Sequence, residues 1–470
     1  MKALGVLGTS SNAGKTWMTV ALCAWLRREG VRVAPFKAQN MSNNAWALPD
    51  GCEIARAQAV QAEACGLAPT VAMNPILLKP TGPQGSQLIL HGRAVGHQAG
   101  REYYREFDRL WVEVRDVLDG WRERCDVLVL EGAGSPVELN LMDRDLVNLR
   151  PLRHLDGRWL LIGDIDRGGI YAQLAGTWAL LPPEDRARGL GAIVNRFRGD
   201  LGLFLDPQTW LAPHAPGLSV LGTVPFRPDL QPEEEDGLAR GDEDRGDPTG
   251  ETIAWVRLPH AANLTDCQPW WGDAGVRTRW TADAVQLANA RAIVIPGTKN
   301  TIADLRWLRT TGLAAVIIAA ARRGTPVIGL CGGYQILGEF LSDPLGVAGD
   351  AGDEPGLGLL PVSTRFVAEK IVRPVISECD GRRWTTYEIH MGRTEAGPDG
   401  ACVGNVSGTY QHGWFEVPET RRRLARAAGI DAHRAPDVTW AEQRRAVYEA
   451  MADHVVEHVD LTSVRRYLGI

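Results

Sequence analysis

The chain has 470 residues, which is more than one hydrophobic core usually supports, so we expect two or three domains. Lys and Arg number 51 against 57 Asp and Glu, and the net charge is −6. This balance leaves no basic surplus for a nucleic acid or an anionic membrane, and no apolar run approaches the roughly 20 residues that cross a bilayer. The eight cysteines contain no C-x-x-C pair, which predicts reduced thiols in a cytoplasmic protein rather than a zinc cluster or a disulfide framework.

The first residues predict a phosphate-binding site. The apolar run Lys2–Leu7 predicts a strand, Trp17–Arg28 predicts a helix, and G-T-S-S-N-A-G-K-T lies between them. Counted from its first glycine, this loop is one residue longer than the standard G-x-x-x-x-G-K-[ST] pattern. The backbone N–H groups of such a loop bind phosphates, its lysine neutralises them, and the hydroxyl after the lysine binds Mg²⁺. We therefore assign nucleotide contacts to Gly8, Thr9, Asn12, Ala13, Gly14, Lys15 and Thr16, and we expect no signal peptide ahead of them.

Strands and helical segments alternate along most of the remaining chain. Short apolar runs, which are typical of central parallel strands, lie at Val31–Phe36, Val127–Leu130, Trp159–Ile165, Gly191–Val194, Val220–Val224, Ile253–Leu258, Ala292–Pro296 and Val327–Leu330. The segment Pro228–Thr252 is acidic and rich in Gly and Pro, as linkers are. The predicted fold class is α/β, with a P-loop parallel-sheet domain over 1–228, a linker over 229–251, and a second α/β domain over 252–470 that ends in helices.

The stretch Val327–Gly333 predicts a catalytic nucleophile. It reads V-I-G-L-C-G-G, so an apolar strand runs into a turn that presents the thiol of Cys331. The following N–H, on Gly332, lies where an oxyanion would form, and Gly297 in the turn P-G-T is the expected second donor. A cysteine elbow with a distant histidine, His412, indicates acyl transfer through a thioester. The competing interpretation is an ordinary buried cysteine.

Further motifs extend over both halves of the chain. The N-terminal half contains P-F-K-A-Q-N-M-S-N-N (35–44), E-I-A-R-A-Q-A-V-Q-A-E-A (53–64), M-N-P-I-L-L-K-P (73–80), E-G-A-G-S-P-V-E-L-N (131–140), D-I-D-R-G-G-I (164–170) and N-R-F-R-G-D (195–200). The C-terminal half contains P-G-T-K-N-T (296–301), Y-E-I-H-M-G-R-T (387–394) and G-T-Y-Q-H-G-W-F (408–415). With the cysteine elbow, these motifs resemble the cobyric acid synthase family of glutamine-dependent amidases, up to about residue 420.

The resemblance implies two linked activities. The C-terminal part is similar to class I glutamine amidotransferases, in which the cysteine attacks glutamine and ammonia is released. The N-terminal part is similar to dethiobiotin synthetase, whose sheet uses Mg²⁺ and ATP to phosphorylate a carboxylate, so that ammonia displaces phosphate and forms an amide. The implied substrate is a corrinoid, adenosylcobyrinic acid a,c-diamide, whose b, d, e and g carboxylates become amides in cobyric acid.

This chemistry suggests roles for further polar residues of the N-terminal half. Glu131 follows the strand V-L-V-L at the carboxyl edge of a sheet and is the expected second Mg²⁺ ligand. Glu53 is another candidate ligand, or alternatively an acid at a helix N-terminus. Lys37, at a strand tip, either reaches the transferring γ-phosphate or is simply solvated. By resemblance, three more residues lie near the substrate or the phosphates: Asp164, Asp166 and Arg167.

One position departs from the wider amidotransferase pattern. Class I enzymes generally carry Glu two residues after the catalytic histidine, and this chain has Trp414 there. The family that the chain resembles commonly lacks this acid too, so we predict a Cys–His dyad and leave open what orients the imidazole. His390 is a rival base, but the position before Gly413 suits His412 better.

Two other protein classes compete with this interpretation. Cobyrinic acid a,c-diamide synthase has the same two-domain plan, but the motifs P-F-K-A-Q-N-M-S and Y-E-I-H-M-G point away from it. A partitioning-type P-loop ATPase would be a non-enzymatic positional protein, and it carries a signature lysine at the position of Ser10 here. The absence of that lysine, together with the cysteine elbow, favours an enzyme.

Overall fold

The computed structural model describes residues 1–82, 85–98, 105–204, 206–233, 244–349, 351–395 and 400–470. Residues 234–243 of the predicted linker lie outside this described part. The chain forms two compact units: one comprises Met1–Met41, Ile54–Pro232 and Arg444–Ile470, and the other comprises Ser42–Glu53 and Glu233–Gln443. Within the described part, no helix combines the length and the apolar character needed to cross a membrane.

The strands, in chain order, are β1 (Lys2–Gly8), β2 (Val33–Phe36), β3 (Gln39–Met41), β4 (Ala45–Ala47), β5 (Glu53–Ala55), β6 (Ile76–Gly82), β7 (Gly85–Leu90), β8 (Arg93–Gln98), β9 (Val127–Glu131), β10 (Arg158–Asp164), β11 (Gly189–Phe197), β12 (Val220–Pro225), β13 (Asp244–Gly246), β14 (Glu251–Val256), β15 (Ala261–Ala262), β16 (Val276–Thr281), β17 (Ala292–Ile295), β18 (Gly297–Thr298), β19 (Val327–Leu330), β20 (Phe340–Asp343), β21 (Gly352–Pro355), β22 (Ser363–Cys379), β23 (Arg382–Thr394), β24 (Ala401–Val403) and β25 (Val406–Thr409).

The α-helices, in chain order, are α1 (Lys15–Arg28), α2 (Arg56–Ala64), α3 (Phe107–Gly120), α4 (Leu149–His154), α5 (Ile170–Leu180), α6 (Pro183–Arg186), α7 (Pro207–Leu211), α8 (Ala284–Asn289), α9 (Thr301–Thr310), α10 (Leu313–Arg322), α11 (Gly332–Leu337), α12 (Pro418–Ala427), α13 (Trp440–His458) and α14 (Thr462–Leu468).

The first unit is built on a parallel sheet of six strands in the order β12-β11-β10-β1-β9-β2. Both faces of this sheet are covered, which explains why its strands are continuous apolar runs. The register places Glu131 beside Val6 and Ile162 beside Gly8. The carboxyl ends of the central strands therefore bring the phosphate loop and the acids that end β9 and β10 to one edge, where open α/β sheets bind ligands. A second sheet of this unit, in the order β3-β6-β7-β8, was not predicted.

The helix α13 contributes to the core of the first unit. Its side chains Met451 and Val455 are fully buried in the same apolar cluster as Trp25 of α1 and Ile162 of β10. The predicted boundary assigned this segment to the second domain as a tail, because its helical pattern does not reveal which core it packs against. The structure differs from that boundary here, and it also differs at Ser42–Glu53, which groups with the second unit.

The second unit contains a sheet of seven strands in the order β13-β16-β14-β17-β19-β25-β24, parallel except at its two edges. The predicted strand Val327–Leu330 is β19, at an internal position of this sheet. A further sheet, β21-β20-β22-β23, includes the long antiparallel pair β22 and β23, which the sequence did not predict. The two parallel sheets confirm the α/β fold class.

A close backbone approach at the cysteine elbow gives a testable prediction. A Cβ added to Gly333 would lie 2.1 Å from the carbonyl oxygen of Ile295 and 2.8 Å from that of Pro296. Because these obstacles are backbone atoms, Gly333→Ala forces the elbow away from β17, and we expect a loss of about 1–3 kcal/mol of stability together with weaker glutaminase activity. The control is Gly176→Ala in α5, where the described part of the chain leaves open space. A thermal midpoint unchanged by Gly333→Ala would contradict the prediction.

Candidate active site

The phosphate loop of the first unit is fixed by a contact from β11. The Asn195 side-chain amide donates a hydrogen bond to the carbonyl oxygen of Ala13 at 3.0 Å. Gly14 has a φ of 94°, and a Cβ there would lie 2.0 Å from Asn195 Nδ2. Only glycine satisfies both the left-handed backbone and this close approach. The loop is followed by α1, which begins at Lys15, two residues earlier than the predicted Trp17.

Lys15 is buried beside the loop it follows. Its Nζ donates hydrogen bonds to the carbonyl oxygens of Ser10 at 2.9 Å and Gly134 at 3.0 Å. Burial, assisted by the positive charge of Lys37 and opposed by the negative charge of Glu131, lowers the pKa of Lys15 to about 8. An added anion at the loop would therefore favour the charged ammonium, as expected of a phosphate-binding lysine.

The buried carboxylate of Glu131 lies beside the loop and accepts hydrogen bonds from several side chains. The Thr16 hydroxyl donates to Glu131 Oε1 at 2.9 Å, and Lys37 Nζ lies 2.8 Å from the same oxygen. Gln61 donates to Oε2. Burial raises the pKa of the Glu131 carboxyl, but the charge of Lys37 and these hydrogen bonds outweigh it, so the pKa falls below its ordinary value. The structure thus brings together Thr16, Lys37 and Glu131 and adds Gln61 of α2, which the sequence analysis missed.

The acids of the D-I-D-R motif lie at the next strand end. Asp164 ends β10 and is only 1% exposed. Its Oδ2 lies 3.5 Å from Arg196 Nη1 and 3.6 Å from Arg167 Nε. Asp166 instead accepts a hydrogen bond from Arg198 at 2.8 Å. This arrangement places charged groups at the same sheet edge as the phosphate loop. Asp164 lies close to two arginines, and Asp166 is bonded to a third.

Glu53 lies just before the helix α2 and is paired with a lysine. Its buried carboxylate forms an ion pair with Lys370 of β22, within the second unit. Thr16 and Glu131 belong to the first unit. Glu53 thus belongs to a different unit from the other predicted Mg²⁺ ligands, and the ion pair with Lys370 balances its charge, so its role as a metal ligand stays a prediction.

The cysteine elbow of the second unit has the backbone geometry of a nucleophile turn, with Cys331 itself buried. Cys331 follows β19 and adopts φ 51° and ψ −108°, a strained conformation for a residue other than glycine. The next residue begins α11, and a Cβ added to Gly332 would lie 2.5 Å from Thr298 Cγ2 and 2.9 Å from Thr298 N. The turn that contains Gly297 and Thr298 therefore borders the elbow, as predicted for a pair of oxyanion donors.

The structure brings His412 to this elbow. A Cβ added to Gly297 would lie 3.1 Å from His412 Cε1 and 3.6 Å from Cys331 Cβ, so the three predicted residues converge. His412 is 1% exposed, and its Nε2 has no hydrogen-bond partner among the described residues. Burial alone would lower its pKa, but Asp266, and to a smaller degree Cys331, raise the pKa of His412 to about 10. The imidazolium form is thus favoured, as required for pairing with a thiolate.

Asp266 is a site residue that the sequence analysis missed. It lies in the 3-10 helix Leu264–Gly272, which follows β15. Its Oδ2 accepts a hydrogen bond from His412 Nδ1 at 2.7 Å, and its Oδ1 accepts one from the Gly413 N–H at 2.8 Å. The carboxylate is 146 positions from the histidine in the chain, so no spacing rule based on the histidine motif could identify it.

His390, the rival base, has other partners. Its Nδ1 lies 2.8 Å from the carbonyl oxygen of Gly392, and its ring stacks on Tyr410 at a centroid separation of 3.6 Å. Its Nε2 is 3.7 Å from Glu388. Its neighbour Ile389 accepts a weak hydrogen bond from the Cys331 thiol at 3.5 Å. His390 therefore follows directly after a residue that contacts the elbow, and a substitution experiment distinguishes it from His412.

The two histidines are expected to respond differently to alanine substitution. His412→Ala removes the imidazole that Asp266 orients, so we expect glutaminase activity to fall by at least about 100-fold. His390→Ala should still form the thioester. Covalent trapping of Cys331 by an electrophilic glutamine analogue, followed by mass spectrometry, measures this step. Normal trapping in His412→Ala and none in His390→Ala would reverse the assignment.

Comparisons with known proteins match both units. The profile of the CobQ/CobB/MinD/ParA nucleotide binding domain matches residues 4–239, and that of the CobB/CobQ-like glutamine amidotransferase domain matches residues 252–420. The cobyric acid synthase of Roseiflexus castenholzii is 48% identical over 396 residues, covering 83% of this chain and 80% of that protein. The one from Synechocystis sp. is 42% identical over 496 residues, covering 100% and 99%. A crystal structure of a glutamine amidotransferase aligns with 38% of this chain and 98% of its own, at 16% identity and a TM-score of 0.29.

A nucleotide-binding domain and a glutamine amidotransferase domain in one chain define a glutamine-hydrolysing carbon–nitrogen ligase. The predicted domain types are confirmed by these matches. The relatives then give the family, since they are 42–48% identical and align with most of their own lengths. The chain belongs to the cobyric acid synthase family, and its activity is amide formation in cobalamin biosynthesis.

Proposed function

We propose that this enzyme converts adenosylcobyrinic acid a,c-diamide to cobyric acid by amidating the b, d, e and g carboxylates. Glutamine supplies the nitrogen, and ATP activates each carboxylate. The observation that supports this proposal is the presence of two clusters of candidate catalytic groups in a chain whose relatives are named cobyric acid synthase. One set surrounds Lys15 and Glu131, and the other surrounds Cys331 and His412.

The need for ATP follows from carboxylate chemistry. A carboxylate is a poor acyl donor because oxide or hydroxide is a poor leaving group. Transfer of the γ-phosphoryl group from ATP to the carboxylate gives an acyl phosphate and ADP. Attack of ammonia on the acyl carbon then forms the C–N bond and expels inorganic phosphate. In this scheme Lys15 binds the transferring phosphates, and Lys37 is close enough to Glu131 to share the site.

Mg²⁺ fits the donor set of this site. A threonine hydroxyl at the end of a phosphate loop and a carboxylate with a lowered pKa are oxygen ligands of the kind that Mg²⁺ prefers. Thr16 and Glu131 would hold the ion, and it would supply positive charge against the phosphate oxygens. Glu131 at present accepts hydrogen bonds from the Thr16 hydroxyl and from Lys37, so binding of a cation requires these donors to rearrange.

Ammonia is released at the cysteine elbow. The thiol proton resides on His412, whose imidazolium form Asp266 favours, and the Cys331 sulfur bonds to the amide carbon of glutamine. The C–N bond breaks as His412 returns the proton to the leaving nitrogen. Water then hydrolyses the glutamyl thioester and releases glutamate. The N–H groups of Gly332 and of the turn at Gly297 are the proposed donors to the oxyanion of each tetrahedral intermediate.

A substrate comparison tests the proposal against its nearest alternative. Purified enzyme with Mg²⁺, ATP and glutamine is given either adenosylcobyrinic acid a,c-diamide or cobyrinic acid that carries no amide. Mass spectrometry of the corrinoid then follows each replacement of a hydroxyl by an amino group. We expect conversion of the a,c-diamide to cobyric acid. Amidation of only the a and c carboxylates would instead identify a cobyrinic acid a,c-diamide synthase.

A further inference from the structure

We propose that Asp266 is the positioning acid of the glutaminase site, so that the catalytic set runs Asp266, Cys331, His412 in chain order. This inference rests on the proposed glutaminase role of Cys331. The usual class I acid, two residues after the histidine, is replaced by Trp414, whose ring packs against Trp384 at a centroid separation of 5.4 Å. The carboxylate instead comes from the 3-10 helix Leu264–Gly272, which together with Asn263 before it is called the Asp266 loop below.

Both oxygens of the Asp266 carboxylate are used at the histidine. One accepts from His412 Nδ1 at 2.7 Å, and the other accepts from the N–H of Gly413 at 2.8 Å. Because Nδ1 is bonded to Asp266, Nε2 is the ring nitrogen left for proton exchange: it carries a proton in the imidazolium and a lone pair once that proton has been given up. The second bond fixes the backbone next to the histidine. Together they select the tautomer and the orientation of the ring, as the acid of a catalytic triad does.

The ring is also held from its face. Tyr387 stacks on His412 at a centroid separation of 5.3 Å, and the backbones of the two residues exchange hydrogen bonds of 2.9 and 3.2 Å. The other titratable group that acts on the imidazole is Cys331 at the elbow. Asp266 is thus the negative charge that supports the imidazolium, since Tyr387 contributes packing and a backbone contact.

A segment from the N-terminal half of the chain holds the Asp266 loop. Asn44 Oδ1 accepts a hydrogen bond from the Leu264 N–H at 3.3 Å, and the Ala45 N–H donates to Asn263 Oδ1 at 3.4 Å. Asn263 has a φ of 55°, so the turn just before Asp266 has a left-handed residue that these bonds fix. The motif N-M-S-N-N, which sequence reasoning placed in the P-loop domain, therefore contributes to the glutaminase site through Asn44.

The main test is Asp266→Asn, which keeps the shape of the side chain and removes its charge. We expect glutamine hydrolysis to fall by about 100-fold or more, mainly in kcat. Amidation with added ammonium should stay near that of the unaltered enzyme. Asp380→Asn, the same change at an aspartate paired with Arg426 on the surface, is the control and should leave both activities unchanged. If the unaltered enzyme itself did not amidate the corrinoid with ammonium, the proposed function would be wrong, whatever the role of Asp266.

The pH dependence of Cys331 alkylation separates positioning from folding. In the unaltered enzyme, Asp266 keeps His412 protonated well above the ordinary histidine pKa of 6.5, up to about 10. Cys331 therefore has a cationic neighbour across this range, and we expect alkylation by iodoacetamide to depend weakly on pH. In Asp266→Asn the partner is neutral near pH 7, so alkylation should be slow there and rise steeply with pH. An unchanged profile with normal glutaminase activity would overturn the proposal.

Asn44→Ala provides a second, milder test. It removes one hydrogen bond to the loop without touching Asp266, so glutamine hydrolysis should fall by a few-fold to about 10-fold, while ammonium-dependent amidation is retained. An equal loss of both activities would mean that Asn44 serves the synthetase reaction or general folding. Glutamine hydrolysis equal to that of the unaltered enzyme would show that the loop does not depend on this contact.

Discussion

Cys331→Ser is expected to lose almost all glutamine-dependent amidation while it retains amidation with ammonium. Serine is a far poorer nucleophile than a thiolate at an elbow whose base is arranged for sulfur. Lys15 and Glu131, to which we assign the synthetase reaction, belong to the first unit, whereas Cys331 belongs to the second. Ammonium salts at mildly alkaline pH supply free ammonia, so conversion of the a,c-diamide to cobyric acid should continue, with ATP consumed in step with amides formed.

The control for this experiment is Cys402→Ser, which alters an exposed cysteine of the same unit. It should leave both nitrogen sources active. If ammonium fails to support Cys331→Ser although the protein is folded and the unaltered enzyme uses ammonium well, Cys331 has a role beyond glutamine hydrolysis. The assignment of glutamine hydrolysis to the Cys331 site and of amidation to the Lys15 site would then be wrong.

Lys15→Ala and Glu131→Gln are expected to abolish amidation with either nitrogen source. Removing one partner of the charge that develops on a transferring phosphoryl group typically costs about 3 kcal/mol or more, which is at least a 100-fold loss of rate. Glu131→Gln also removes the negative charge beside Thr16 and Lys37. Basal glutamine hydrolysis at Cys331 should persist in both variants. The rates are measured as ADP release and as amide formation on the corrinoid.

Lys2→Ala is the matched control, since Lys2 lies at the opposite end of β1 from the phosphate loop. It should amidate normally. Ammonium-dependent amidation at an unaltered rate in Lys15→Ala would remove the lysine from the phosphate site. The same result in Glu131→Gln alone would leave the loop assignment intact and exclude Glu131 as a metal ligand.

Local sequence patterns predicted the groups that lie next to each other along the chain. The strand Val327–Leu330 and the elbow that follows it agree with the structure residue for residue, because buried parallel strands are continuous apolar runs and sharp turns need glycine. The phosphate loop is contiguous for the same reason. The meeting of Glu131 with Thr16 was also predictable, since strand ends of a parallel sheet share one edge.

Contacts between segments far apart in the chain could not be predicted from local sequence patterns. Asp266 reaches His412 across 146 positions, and nothing in T-D-C-Q distinguishes that acid from others. Glu53 precedes a helix, and only the fold shows that Lys370 neutralises it. The hairpin strands β22 and β23 were missed because many of their side chains are exposed and polar, so they lack the continuous apolar signal of central strands.

The most direct measurement of the central claim traces nitrogen from glutamine into the corrinoid. Unaltered enzyme is incubated with Mg²⁺, ATP, adenosylcobyrinic acid a,c-diamide and glutamine that carries heavy nitrogen in its side-chain amide. We predict heavy nitrogen in the new amides at b, d, e and g, with ADP, phosphate and glutamate released in step with them. Glutamine hydrolysis without heavy nitrogen in the corrinoid, or amide formation without ATP, would contradict the account.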